Sequence, residues 1–106
     1  MPASVFSRST ECHNQDKVSM GTIAARDAIR VLELTEQVAA ATLLAANQGV
    51  WLRAQVKDAR PLPPALAAMH EALAKDFPPV IEDRALEGEL RLCLQRIAAQ
   101  HWRLHA

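Results

Sequence analysis

Apolar residues recur at helical spacing along most of this sequence, and the places where the pattern fails divide it into segments. From about 17 to 57, Ile23, Ile29, Leu32, Val38, Leu43 and Val50 stand at helical intervals with alanines between them. At ~1.5 Å per residue this predicts a rod of roughly 60 Å, with Gly21, Thr35 and Gly49 as places where it could bend. The first half of the rod is amphipathic: Arg26, Asp27, Arg30 and Glu33 share one side, and Ile23, Leu32 and Leu34 lie largely opposite. The second half differs. VAAATLLAA, Val38 to Ala46, carries one hydroxyl and no charge, the pattern of a helix covered all round. Pro61, Pro63 and Pro64 end the rod and open a second helix over 64–76, since proline is tolerated in a first helical turn. Phe77-Pro78-Pro79 breaks that helix, and VIEDRALEGE crosses to a last helix over 86–105, its start blurred by Gly88. Residues 1–16 lack the period and carry Pro2, Ser4, Ser7, Ser9 and Thr10, so they read as loop. The expected fold is all-α within a single unit: one long helix, then two shorter ones.

Composition supports helices packed on helices. Hydrophobic residues make up 50% of the 106 residues but aromatics only 4%, with no tyrosine, so the apolar content is mostly Ala, Leu and Val. Burying Val38, Leu43, Leu44, Val50 and Leu52 is worth roughly 7–15 kcal/mol, comparable with the net stability of a whole domain. The two shorter helices are each charged on one face and too few to cover that surface. Apolar partners from other copies, or from the rest of a longer molecule, are therefore expected. Lysine plus arginine balance aspartate plus glutamate, 12 against 12, so no net field draws the chain to nucleic acid or to an anionic membrane. Cys12 and Cys93 have no metal-ligand spacing and read as free thiols. With no leader pattern and no apolar run near the roughly 18 residues of a membrane span, a cytoplasmic location is the expectation.

Candidate chemistry concentrates just before the long helix, in ECHNQDKVSMGT, Glu11 to Thr22. If the first of these residues form a helical turn, Glu11 and Gln15 are spaced i, i+4 and project together. They would then stand near a helix N-terminus, whose free N–H groups and partial positive charge suit an anionic substrate group. A glutamate in apolar surroundings can pass a proton to or from an amine. The alternative from spacing alone is that Asn14, Asp16 and Ser19 cap the helix and the rest is solvated loop. Elsewhere, His101 and His105 form an HxxxH pair on the last helix, without the glutamate or third ligand of a zinc site. No metal site is expected. His70 and Cys93 sit in helical stretches that need no functional explanation.

ASVFSRSTECHNQDKVSMGTIAARDA, AAATLLAANQGVWLR and FPPVIEDRALEGEL, in that order, resemble the C-terminal third of the core of the aromatic amino acid ammonia-lyases. This family comprises the histidine, phenylalanine and tyrosine ammonia-lyases and the related 2,3-aminomutases, and the resemblance runs from Ala3 to Leu90. It implies an all-α homotetramer whose long helices form a central bundle, and elimination of ammonia from an aromatic L-amino acid to a trans-α,β-unsaturated acid. An aminomutase, which re-adds the ammonia, is the alternative activity, and a non-catalytic self-associating helical protein is another.

The resemblance also implies an electrophile, a methylidene-imidazolone formed autocatalytically from Ala-Ser-Gly, and a tyrosine base. This sequence contains neither Ala-Ser-Gly nor any tyrosine. A fragment, inactive alone and associating with copies of itself or with a longer lyase chain, is therefore expected. By resemblance Glu11 and Gln15 line the pocket near the electrophile and the substrate amine, and His13 and Asn14 match substrate-binding positions, Asn14 beside the carboxylate. Gln15 leans towards a carbocyclic substrate, because histidine-type enzymes usually carry glutamate there, whereas VSMGTIAAR resembles the histidine type. Cys12 takes no role. Asp83 and Arg84 match a family pair expected to act as an ion pair or an inter-subunit contact.

Overall fold

A computed structural model of the chain describes residues 2–6, 8–14 and 18–102. All regular structure among them is helical: two short 3-10 turns, Ala3–Phe6 and Glu11–His13, then α1 (Gly21–Ala54), α2 (Pro64–Asp76) and α3 (Glu87–Ala98). This is the expected all-α order of one long helix and two shorter ones. Contacts divide the chain into two units, Met1–Thr35 and Glu36–Ala106, with α1 beginning in the first and continuing in the second.

In the first unit, α1 starts at Gly21 rather than near 17 because the backbone ahead of it is committed elsewhere. The Val18 N–H donates to the Arg8 carbonyl at 2.9 Å, which closes a loop instead of starting a helix. Met20 supplies the first helical acceptor, to Ala24 N–H at 2.9 Å, and the Ser19 hydroxyl accepts from Gly21 N–H at 3.4 Å. A serine just before a helix satisfies one of the donors that the first turn leaves free. Residues 21–35 of α1 are all exposed, and the Arg30–Glu33 ion pair at 3.0 Å stands in solvent.

The second unit carries the core. Ala40, Leu73, Phe77 and Cys93 are buried, with Leu43, Leu44, Met69, Leu90, Leu92, Leu94, Ile97 and Trp102 packed around them. From α1 the inward residues are Ala40, Leu43, Leu44 and Asn47, spaced as one helical stripe. Small buried residues bring α1 and α3 into contact, with Cys93 Sγ 3.9 Å from the Ala40 carbonyl oxygen. Phe77 leaves α2 and meets Trp102 with ring centroids 6.1 Å apart. VAAATLLAA is not covered all round by the described residues: Ala40 is enclosed, Leu43 and Leu44 are half-buried, and Val38 is 65% exposed. Its hydroxyl is satisfied within the helix, Thr42 Oγ1 donating to the Val38 carbonyl at 2.7 Å.

Three polar contacts tie the elements around this core together. The buried Asn47 side chain bonds through Oδ1 to His70 Nδ1 at 2.7 Å, joining α1 to α2. Gln48 uses both ends of its amide on one residue, Nε2 donating to the Val80 carbonyl and Oε1 accepting from the Val80 N–H, each at 2.9 Å. That clamp holds the segment after Pro78-Pro79, whose prolines cannot themselves donate, against α1. Asp76 and Arg96 pair α2 with α3 at 3.2 Å.

The helix ends differ from the sequence pattern for local reasons. α1 stops at Ala54 rather than 57, where Gln55 and Val56 switch to tighter bonds onto Leu52 and Arg53 and Asp58 turns left-handed at φ 61°. α3 stops at Ala98 rather than running on towards 105. There Gln100 takes φ 50°, its N–H bonds to the Ile97 carbonyl and the His101 N–H to the Arg96 carbonyl, each at 3.0 Å. That is the Schellman termination, and it puts His101 beyond the helix. Arg84 pairs with Glu89 at 2.6 Å and with the Pro78 carbonyl at 3.2 Å, rather than with its neighbour Asp83.

Gln48→Ala removes both bonds to Val80 and leaves part-buried backbone groups unpaired, so unfolding free energy in urea should fall by about 1–3 kcal/mol. A loss within error would show that the clamp does not fasten this segment. Burial pushes the Cys93 thiol above its ordinary value of 9.0. The unfolded chain then gives up this proton at lower pH than the folded one. Stability from this group is intact below that value and falls as pH rises past it. Denaturation measured from pH 8 to about 11 should show a steeper loss for the natural chain than for Cys93→Ala.

Candidate functional site

The polar motif folds as a tight turn. The His13 N–H donates to the Thr10 carbonyl at 3.1 Å and the Asn14 N–H to the Glu11 carbonyl at 3.4 Å, while the Val18-to-Arg8 bond ties the base. Cys12 and His13 both adopt left-handed backbone, at φ 57° and φ 52°. For residues with a Cβ this costs about 1–2 kcal/mol each. Such conformations persist where surrounding bonds impose them, and they concentrate at functional sites. The left-handed step also means that Glu11 to His13 is not an α-helical turn. Gln15 and Asp16 lie outside the described residues.

Three of the expected site residues, Glu11, His13 and Asn14, thus stand within one four-residue turn. Glu11, His13 and Asn14 are all exposed, so the described residues do not supply the apolar surroundings that proton transfer by a carboxylate calls for. The His13 ring is held from behind: its Nδ1 is 2.9 Å from the Ser9 hydroxyl. Chemically, the turn offers a carboxylate that can hold an ammonium group or move a proton, next to an amide and an imidazole that can donate to a carboxylate. Sequence reasoning did not single out Ser9. Its four-residue spacing from His13 was the available signal.

The remaining candidates separate from this turn. His70 is occupied by Asn47 in the core and Cys93 is enclosed there. His101 stacks edge-on to Trp102 with centroids 5.5 Å apart, and its Nδ1 accepts a long bond, 3.4 Å, from Arg96. His105 lies outside the described residues. No group of three or more His, Cys, Asp or Glu among the described residues could hold a metal ion, and no described helix is long and apolar enough to cross a membrane. The second unit contains an open, largely apolar groove of about 360 Å³ lined by Ala41, Leu44, Phe77, Val80 and Leu90, which holds none of the motif residues.

Residues 1–75 match the family described as aromatic amino acid lyase. That span holds the whole turn, α1 and nearly all of α2. The chain belongs to this family. Among curated lyases it is 38% identical over 96 residues to the histidine ammonia-lyase of Caenorhabditis elegans, covering 91% of this chain and 14% of that protein. With the histidine ammonia-lyase of Homo sapiens it shares 39% over 89 residues, 84% of this chain and 13% of the relative. With that of Geobacillus sp. (strain WCH70) it shares 31% over 101 residues, 95% and 19% respectively. The chain therefore spans only 13–19% of the length of these relatives. No solved structure matches it.

If the turn is set by its left-handed residues, Cys12→Gly should relieve strain and stabilise it by about 0.5–1 kcal/mol, whereas the β-branched Cys12→Val should loosen it. Exchange of the Val18 amide proton reports the closed base of the loop. Slower exchange in the glycine variant and faster exchange in the valine variant are expected, and the reverse order would contradict the left-handed geometry.

Proposed function

We propose that this chain supplies one wall of the active site of an aromatic amino acid ammonia-lyase, with Glu11 and Gln15 at the reacting amine and His13 and Asn14 at the substrate carboxylate. The observation that carries this reading is the turn itself. Glu11, His13 and Asn14 match the lyase motif residue by residue and share one strained, internally braced loop just ahead of the long helix. Family membership supports this reading of the reaction class, release of ammonia from an aromatic L-amino acid as a trans-α,β-unsaturated acid. The relatives named above are histidine ammonia-lyases, which favours an imidazole substrate, while Gln15 favours a carbocyclic one, so the class proposed is the aromatic L-amino acid.

The family's methylidene-imidazolone does not fit this chain, because the sequence holds no Ala-Ser-Gly from which to form it. It also holds no tyrosine to serve as base. Both must come from other polypeptide. The exposure of Glu11, His13 and Asn14 accords with a wall that another part of a lyase covers. The long helix accords with the same need, since Ile29, Val31, Leu32 and Val38 are 59–65% exposed on it. In the completed site this chain's own contribution is to orient the substrate: the Asn14 amide and the His13 ring donate to its carboxylate, and the Glu11 carboxylate holds the amine and takes up or returns its proton.

The test is complementation. The 106-residue chain is incubated with L-Phe, L-Tyr or L-His, alone and mixed with a longer lyase chain from which the matching segment has been deleted. Ultraviolet absorbance of the unsaturated acid is followed. No turnover is expected from the chain alone and turnover is expected from the mixture, reduced about a hundredfold by Glu11→Gln. Turnover by the isolated chain, or an unaffected Glu11→Gln mixture, would overturn the assignment.

A further inference from the structure

We propose that Ser9 is the positioning residue for His13: its hydroxyl donates to Nδ1, fixes the imidazole in the tautomer protonated at Nε2, and leaves that N–H as the donor to the substrate carboxylate. This rests on the reading that His13 stands beside the carboxylate, and it adds a residue and a protonation state which that reading does not contain.

The argument begins with the ring. A neutral imidazole has one N–H donor and one bare nitrogen acceptor, so whatever occupies one nitrogen decides what the other offers. The Ser9 hydroxyl stands 2.9 Å from Nδ1 and can serve in either direction. An anionic carboxylate can be met only by a donor. For the neutral ring this puts the proton on Nε2, makes Nδ1 the acceptor and makes the Ser9 hydroxyl the donor.

The backbone explains why serine can hold this position. Both neighbours of Ser9 are pinned to the other side of the loop, the Arg8 carbonyl by the Val18 N–H and the Thr10 carbonyl by the His13 N–H. Ser9 is itself half-buried, so the hydroxyl starts from a fixed base. His13, by contrast, follows the left-handed Cys12 and is left-handed itself, a conformation that an L-residue leaves readily when nothing restrains it. The side-chain bond therefore closes the turn across its strained part and sets the ring direction at the same point. Exposed hydrogen bonds contribute little to global stability, but choosing between two tautomers needs little: one such bond shifts a two-state ratio by about two- to tenfold.

The experiment uses the 15N-labelled full chain, with long-range proton–nitrogen correlation of the imidazole rings at a pH where they are neutral. His13→Gln assigns the His13 signals among the four histidines. In the natural chain His13 should show an unprotonated Nδ1 displaced upfield as a hydrogen-bonded acceptor. Ser9→Ala should lose that displacement and move the tautomer ratio by about two- to tenfold, and Ser9→Thr should restore it. An unchanged Val18 amide shift in Ser9→Ala would show that the turn persists and that the ring alone has responded. A His13 protonated at Nδ1 in the natural chain overturns the proposal whether or not Ser9→Ala folds. Ring nitrogens that stay at their natural values in Ser9→Ala, or that Ser9→Thr fails to restore, also overturn it. These readouts need no catalysis. Failure of the complementation assay, or an unchanged KM for His13→Gln within it, would instead count against the carboxylate assignment.

Discussion

The approach of α1 to α3 at Ala40 and Cys93 organises the larger unit. Both residues are fully buried, and the thiol lies within 3.9 Å of the backbone it faces. Small side chains at a crossing let two helices come close, and larger ones on either side then interdigitate: Leu43 and Leu44 from α1, Leu90, Leu94 and Ile97 from α3. Phe77 and Leu73 fill the space beneath, which draws α2 to the same point. The Asn47–His70 and Gln48–Val80 bonds then hold connections that apolar packing alone would leave loose. A larger residue at position 40 or 93 would separate the two helices and weaken every contact that depends on their spacing.

That core is small for so apolar a chain. Among the described residues four hydrophobic side chains are buried, whereas Ile29, Val31, Leu32, Val38, Leu52 and Val56 each keep about half or more of their surface in solvent. Single exposed leucines and valines are ordinary on protein surfaces, but a helix with this many is not self-sufficient. The stripe through Ala40, Leu43, Leu44 and Asn47 is the part of α1 that the chain covers for itself. Much of the remaining apolar surface of α1, Ile29, Val31, Leu32 and Val38 included, is exposed.

In the smaller unit the organising constraint is the backbone. Two left-handed residues in succession turn the chain sharply enough to place Glu11, His13 and Asn14 on one loop, and hydrogen bonds from both flanks maintain the turn. A regular helix beginning earlier would have spread the same residues around its circumference. Because α1 begins only at Gly21, the motif residues stand on a turn rather than in the first turn of a rod.

Helical periodicity and the three prolines at 61, 63 and 64 were enough to read the number, order and approximate extent of the helices, because those signals are local. The motif was legible only as a concentration of polar side chains before an apolar helix: its spacing alone suits a cap as well as a site. The helix ends were not. Val18 is held by Arg8, ten positions earlier, and the end of α3 depends on a left-handed Gln100, a residue without the glycine that usually announces such a turn. Nor could sequence say which face of α1 would be covered, because Val38 and Ala40 are alike in apolar character and differ only in what packs against them. The partner of Arg84 was decided the same way, by the turn that brings Glu89 closer than Asp83. Sequence by itself determined which segments would be helical and where polar side chains gather ahead of the long helix. Tertiary structure decided where the helices stop, which stripe is buried and how the His13 ring is held, because each depends on a contact between residues that the local pattern does not relate.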